Sequence, residues 1–467
     1  MPVLPAAAWI PAAWLGLSLA QQPSALPPVA NAKPEAVAVE EEFRIYKDPP
    51  RLLLTPQRLR LLRRERQRES IRWVQFETVM GGQAELAEPG ISSALYGIVT
   101  ERPKACRAAA DFAVTRASDP RQTAIVLDWC YTRLAPHHVK LLTAKLEQYL
   151  GTPPAKLDIP TQRTRVFAAA AISETHGPLG EKIMRSVIVD WWRMELAPAL
   201  RRGQPIPREH TYDLYELAHA IRDNLNIEIK EDALAFFKEW PIFHLMSYYP
   251  ASYPAAENEF RIPFFAGDGE PDVRLAVRSR AADLALVAYD PNGVETQVIQ
   301  GWLIQDRYLM KGLYGVVYEF LWANPYQPGL TYHHLPNIFH DKRNGRLFLR
   351  SNWDEDATFA CYYDQRLQFF EDGTRRLIDM KRQTDPIRMG EITLRPAESP
   401  MKIDLEGKEP ESLYLVGLKP NSRFDIEVDG EEMFEDRTDS GGILALPFKA
   451  IGPVTVRVHD AGAGPKP

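Results

Sequence analysis

From residue 50 onward, apolar positions recur at spacings of three and four, and they keep that period through roughly 280 residues. That spacing predicts amphipathic helices. Thr55-Pro56 reads as an N-cap followed by proline at the first helical position, with Leu59, Leu62, Trp73 and Phe76 as the apolar stripe. Further helices are predicted over 103–117, from Asp119-Pro120 with Ile125, Leu127 and Trp129, and from Pro136 with Val139, Leu142, Leu146 and Tyr149. The series continues over 166–174, 179–200, 208–224, 230–248, 272–289 and 298–320. Most segments open at a proline or an Asp, Ser or Thr cap, and short polar connections join them. Stacked antiparallel helical hairpins have this form. No repeat of about 33–45 residues stands out, so no named solenoid is indicated.

After about Pro336 the period falls to two. Segments 346–350, 358–363, 368–370, 391–395, 412–417, 424–428 and 454–458 alternate apolar and polar residues between turn residues. Asp429-Gly430 and Glu371-Asp372-Gly373 are the hairpin signals. The predicted fold is α+β and multidomain, with a helical domain over 50–336 and a small antiparallel β domain over 337–467.

The beginning of the chain differs from both. Residues 3–20 are uncharged, apolar and interrupted by Pro5 and Pro11, and they end in Ser18-Leu19-Ala20 before Gln21. They read as a signal peptide (1–20) rather than a membrane span, followed by a flexible Pro/Ala/Glu-rich linker over 21–49. No later run reaches about 18 uninterrupted apolar residues, so no stable membrane span is expected. The expectation is a periplasmic or secreted protein.

Composition narrows the function classes. The chain has 467 residues with 39 Pro against 27 Gly, and 56 Lys+Arg against 62 Asp+Glu give a formal charge of −6. A general nucleic-acid binder would carry a basic excess, so no nucleic-acid partner is expected. The charge is uneven: residues 51–68 hold seven Arg and one Glu, whereas 397–440 hold thirteen acids and five bases. The basic run reads first as the solvated face of a helix, and second as a cleft that draws in a polyanion. Cys106, Cys130 and Cys361 share no CxxC spacing, so neither zinc nor a redox pair is indicated. Buried free thiols are the default, although Cys106 and Cys130 would pair if their helices lay side by side. There is no GxSxG, GxxxxGK[ST] or strand-linked GxGxxG, which argues against a serine hydrolase and a nucleotide site.

Two stretches carry candidate chemistry. In REHTYDLYELAHAIRDN (208–224), a helix starting near Thr211 puts Tyr212, Tyr215 and His219 on one side, with Glu209 and His210 just before the cap. One reading is core aromatics with an internally bonded His219; the other is a Tyr/His acid–base set. The second stretch, 248–272, is a long loop rich in Pro, Tyr, Asn and Asp, and long loops in compact domains tend to bind ligands. Asn258, Arg261 and Asp268 there form a plausible sugar-binding rim. His333, His334 and His340 invite a metal reading, but no ligand spacing supports it, and no cofactor is expected.

The segment LFLRSNWDEDATF (347–359) resembles the stretch that opens the β-sandwich of the heparinase II/III-like polysaccharide lyases. The GD-containing segment around RIPFFAGDGEPD (261–272) and the opening PRLLLTPQRLRLLRR (50–64) are similar to that family's late toroid loop and usual start. The resemblance spans about 50–371. It implies an incomplete α/α toroid of helical hairpins followed by a β-sandwich-like domain, and β-elimination on a uronate-containing polysaccharide. By position it implies His210, Tyr212 and Tyr253 as catalytic residues, with Glu209, His219, Asn258, Arg261 and Asp268 toward substrate. One departure is plain. The family follows its DAT strand with a segment of the form HQHxDxGSF, whereas this chain has no His between His340 and His459. Two alternatives therefore stand beside the lyase: a non-catalytic glycan-binding protein on the same scaffold, and an α/α-toroid glycoside hydrolase using carboxylates such as Glu209 and Asp268.

Overall fold

The structure is a computed structural model that describes residues 41–82, 85–115, 117–252, 261–267, 269–306, 312–313, 315–383, 385–397, 399–405, 411–430, 432–448 and 453–461. The expected signal sequence and residues 21–40 of the expected linker lie outside the described residues. Residues from Phe43 onward form one compact unit.

The helices are α1 (Pro56–Gln67), α2 (Ile71–Gly81), α3 (Pro89–Thr100), α4 (Pro103–Ala113), α5 (Pro120–Cys130), α6 (Pro136–Gly151) and α7 (Ile159–Ala171), of which α3 lies where no helix was predicted. Then α8 (Gly177–Arg185) runs through a π-helical stretch (Ser186–Leu196) into α9 (Ala197–Arg201). The remainder are α10 (Thr211–Leu225), α11 (Leu234–Met246), α12 (Val273–Tyr289), α13 (Val294–Gln305) and α14 (Gly315–Trp322). Most starts follow local chemistry. Asp119, Asp158 and Asp272 accept hydrogen bonds from the first-turn amides of α5, α7 and α12, and proline opens several others.

These helices form two layers. Helices α3, α5, α7, α10, α12 and α14 pack each on the next, and α14 packs on α2, which closes an inner ring. Helices such as α4, α6, α8 and α13 pair with their inner neighbours from outside. Burial follows the layering: α5 and α14 are buried on nearly every side, whereas α6 buries only His138, Leu142, Thr143, Leu146 and Leu150. This is the α/α toroid. It is incomplete in that the chain leaves α14 for strands, with no outer helix after it. The segment read as one helix over 298–320 is two, α13 and α14. An outer and an inner helix must reverse direction between them, and Gly312 at φ +97° lies in that connection.

Helices α3 and α4 lie close enough that a Cβ on Gly97 would stand 2.8 Å from the Cys106 sulfur. On the other side, Cys106 meets Cys130 at the end of α5, and the two are disulfide-bonded rather than free thiols. The bridge closes a loop of 24 residues. Loop-closure entropy for that length is worth about 3 kcal/mol. Replacing both cysteines by alanine should lower the urea-unfolding free energy by about that amount, while adding reductant to the double variant should change nothing further. Cys361 is buried and free.

Thirteen strands follow among the described residues, in three sheets. The first contains β1 (Ile338–Asp341), β2 (Arg346–Arg350), β3 (Phe359–Tyr363), β4 (Arg366–Glu371) and β5 (Thr374–Ile378), all antiparallel in chain order. Alternation divides its two faces. Phe348, Phe359, Cys361 and Phe370 join the core of the toroid, whereas Leu347, Leu349, Ala360, Tyr362 and Leu367 pack on Leu394 and Val416 of the next sheet. That sheet and the third share a separate core of Leu413, Leu415, Leu444, Leu446, Ile403, Phe424, Ile426, Val456 and Val458. One pair of strands, 392–396 with 411–416, is parallel in this otherwise antiparallel region. Both predicted hairpin turns have two consecutive residues at positive φ, Asp372-Gly373 and Asp429-Gly430, as a type I′ turn requires.

The RSNWDEDATF segment joins the two regions. Arg350 donates to the Tyr248 carbonyl at 2.8 Å and stacks 4.0 Å from the Trp353 ring, and the Trp353 indole donates to the Leu335 carbonyl. Burial and nearby Arg261 lower Arg350 to a pKa of about 9.

Candidate functional site

The inner helices run in one direction, so their N-termini gather at one end of the ring. There they bring together side chains that sequence spacing does not link: Glu88 before α3, Arg121 on α5, Arg163 on α7, Asp213 and Glu216 on α10, Arg278 on α12 and Tyr318 on α14. Arg121 holds Glu216 through both carboxylate oxygens, at 2.9 and 2.5 Å, and reaches Glu88 at 2.5 Å. Tyr318 donates to Glu88 at 2.9 Å. Arg163 pairs with Glu216 and, at 2.9 Å, with Asp213. Asp213 in turn accepts from Arg278 at 2.7 Å and faces His210 Nδ1 at 3.7 Å. The network runs from dry interior to solvent. Glu216 is fully buried, Arg121 and Arg163 nearly so, while the side chains of Arg278 and His210 are 30% and 32% exposed.

Electrostatics follow from this arrangement. Burial works to raise the pKa of Asp213, but Arg163, the His210 hydrogen bond and Arg278 outweigh it and bring the carboxyl to about 2. Glu216 is likewise held below its ordinary value by Arg121 and Arg163, against burial. His210 is raised, first by its hydrogen bond to Asp213, against partial burial. Its charged form is therefore favoured, and with Nδ1 turned to Asp213, Nε2 has no partner among the described residues. The site presents an imidazolium and a guanidinium bridged by one carboxylate, with exposed Glu209 alongside. That arrangement can bind an anion and donate hydrogen bonds to charge that develops on it.

The first sheet borders this end. Arg208 is half-buried over the Tyr248 ring, donates to Ser279 at 2.7 Å and bonds Ser247. The long loop after α11 is clamped to the sheet at both of its described ends. Tyr249 donates to Gln368 at 3.0 Å and stacks on Phe370, and Gln368 and Arg375 donate to the Phe265 carbonyl. Arg375 and Arg366 also hold the carbonyls of Gly267 and Ala266.

The other expected site residues are placed differently. Tyr212 does not face solvent. It is 1% exposed inside the ring, tilted against Tyr318 with ring centres 4.7 Å apart, and its hydroxyl accepts from the Trp322 indole at 2.9 Å. Burial raises its phenol well above the ordinary value. A side chain at this position on α10 points at the axis, and the ring leaves no opening there, so Tyr212 is a packing residue rather than a proton-transfer group. Tyr212→Phe should cost about 1–3 kcal/mol in urea unfolding, because the buried indole N–H loses its acceptor. Arg261 is 2% exposed and faces Asp306 at 3.9 Å and Glu355 at 3.5 Å, at the joint with the β region rather than on a sugar rim. His219 lies about two and a half turns along α10 from His210, buried, with Nε2 at 2.9 Å from the Ala285 carbonyl, and burial lowers its pKa. It borders a cavity at the opposite end of the ring. Tyr253, Asn258 and Asp268 lie outside the described residues. Glu209 and His210 thus stay together at the surface, and Tyr212, His219 and Arg261 do not join them. Arg163 and Arg278 were missed because each lies within two turns of a helix start and carries no local signal; only closure of the ring makes them neighbours.

No family profile matches the chain, and no curated protein does. Among solved structures, it is similar to heparan sulfate lyase HepC from Pedobacter heparinus, at 10% identity and a TM-score of 0.35, over 81% of this chain and 76% of that one. It is also similar to a glycoside hydrolase, at 9% identity and a TM-score of 0.30, over 80% and 71%. A GH127 beta-arabinofuranosidase matches at 11% identity and a TM-score of 0.21, over 90% and 80%. Likeness of that degree leaves the chemistry to be read from the site. Among the described residues no group of three or more His, Cys, Asp or Glu is placed to hold a metal ion, and no helix is long and apolar enough to cross a membrane.

Proposed function

We propose that the protein is an exported carbohydrate-active enzyme that cleaves uronate-containing polysaccharide by β-elimination at the N-terminal end of the ring. The observation that carries this reading is the half-exposed His210–Asp213–Arg278 bridge, two cationic donors held by one buried carboxylate. A uronate carboxylate placed between the imidazolium and the guanidinium would have its charge neutralised. Removal of the proton on the carbon α to it then puts enolate-like charge onto oxygens that already accept hydrogen bonds. The electron pair left at that carbon forms a double bond to the β carbon, the glycosidic C–O bond breaks, and the departing oxygen takes up a proton. With its pKa raised, His210 serves as charge stabiliser rather than base. Tyr253, which lies outside the described residues, is the proposed proton-transfer residue. The Cys106–Cys130 disulfide supports export, because such bonds persist in oxidising compartments.

The test is a panel of uronate polymers incubated with pure protein, followed by ultraviolet absorbance of unsaturated uronate and by reducing-end release. Unsaturated product supports the lyase. Reducing ends without absorbance would replace it with a hydrolase. Retention of a polymer in affinity electrophoresis with neither product would leave the glycan-binding reading, which the lack of any His on β3 and β4 favours.

A further inference from the structure

At the opposite end of the ring, a cavity of about 630 Å³ opens between the start of α1 and the C-terminal ends of α10, α12 and α14. Cavities of this size commonly hold ligands. His210 and Asp223 are thirteen residues apart along α10, so the cavity lies about 20 Å from the His210 site. Its lining contains four guanidiniums, Arg58, Arg60, Arg64 and Arg222, against one carboxylate, Asp223. That carboxylate is already engaged, since Arg222 Nε and Nη2 both reach it at 3.2 Å while the guanidinium lies 3.7 Å from the Tyr289 ring centre.

The other three guanidiniums have no ion pair among the described residues, although Arg58 lies 4.9 Å over the Trp322 ring. Arg58 uses only Nη1, which donates to the carbonyls of Leu321 and Trp322 at 2.9 and 3.1 Å. Its Nε and Nη2 have no hydrogen-bond partner among the described residues. Burial lowers its pKa to about 10, with Asp223 opposing, so the charge there is one the protein itself leaves poorly solvated. Arg60 and Arg64, exposed and one helical turn apart at the lip, have no acidic partner among the described residues. Guanidiniums without ion-pair partners, gathered around one open cavity, call for a ligand that carries oxyanions.

We propose that this cavity binds an anionic saccharide bearing sulfate or carboxylate groups, with Arg58 inside and Arg60 and Arg64 at the lip. It takes the kind of polymer from the proposed function but is a second site, separate from the His210 end. The basic run 51–68, read first as a solvated helix face, is in part the wall of a cleft.

Titration calorimetry at low salt tests it, with a sulfated uronate hexasaccharide as probe on the full chain. Binding should persist in His210→Ala/Arg278→Ala. It should weaken at least about tenfold in Arg60→Glu/Arg64→Glu, whose side chains support no packing, and again on raising the salt. Loss of all binding in the first variant, indifference to the second, or tighter binding of a nucleoside triphosphate than of the saccharide would each overturn the proposal. Because the readout is binding, a protein that forms no unsaturated product would still give a decisive answer here.

Discussion

His210→Ala should lower the rate of unsaturated-product formation by at least about a hundredfold, the scale at which a positioned charge or proton donor contributes to such a step. The loss should appear mainly in kcat, because the imidazolium acts on charge that develops after the sugar is bound. Folding should be little affected: the side chain is about one-third exposed and its single ion pair is with Asp213, which keeps Arg163 and Arg278. The pH dependence has a definite sign. Asp213 raises the pKa of His210, so the charged form persists to higher pH than in a free histidine. Activity should hold below that raised value and fall as pH rises through it, and His210→Gln should remove the alkaline limb. An alkaline limb that survives in His210→Gln would assign the titration to another group.

The second large effect is on stability. Glu216→Ala should cost about 3–5 kcal/mol, because it leaves Arg121 and Arg163 as buried cations with only Glu88 and Asp213 to face them. Urea unfolding of the variant measures it, and a cost under about 1 kcal/mol would mean that the cluster is hydrated rather than dry. The same network predicts the acid limit of the fold. Asp213 sits at about 2 against an ordinary 3.8, so its contribution is present above about pH 4 and is lost as pH falls toward 2. That difference corresponds to roughly 2 kcal/mol. Glu216, also lowered, adds in the same direction. Stability should therefore drop steeply below pH 4, and less steeply in Asp213→Asn, which starts from a lower plateau.

What the sequence shows of this protein follows the range of its signals. Helix starts were legible because they are local: Asp119, Asp158 and Asp272 cap the helices that they precede, and the type I′ turns need only their own two residues. Strands β2 and β3 stood out as short apolar runs between turn residues, because one face of each meets the toroid and the other meets a second sheet. Strand β1 is only half-buried and β5 is mostly exposed, so their alternation is weak. The RSNWDEDATF segment was legible as a landmark, and its role at the joint became visible only from what Arg350 and Trp353 touch.

The site was less legible, for a physical reason. Helical spacing tells which residues share a face of one helix, and Tyr212, Tyr215 and His219 do lie along α10. It does not tell whether that face looks at solvent or into a closed ring, and it is the ring that buries Tyr212. Nor does it distinguish the two ends of a helix, and α10 is long enough to put His210 and His219 at different openings. Arg163 and Arg278 needed the closure of the ring, and the partner of Cys106 needed α4 to lie beside the end of α5.

A crystal of the protein soaked with a saturated uronate disaccharide tests the central claim most directly. The account predicts the sugar carboxylate within hydrogen-bonding distance of both His210 Nε2 and the Arg278 guanidinium. A disaccharide found only in the cavity beside Arg58, with the His210 end empty, would contradict it.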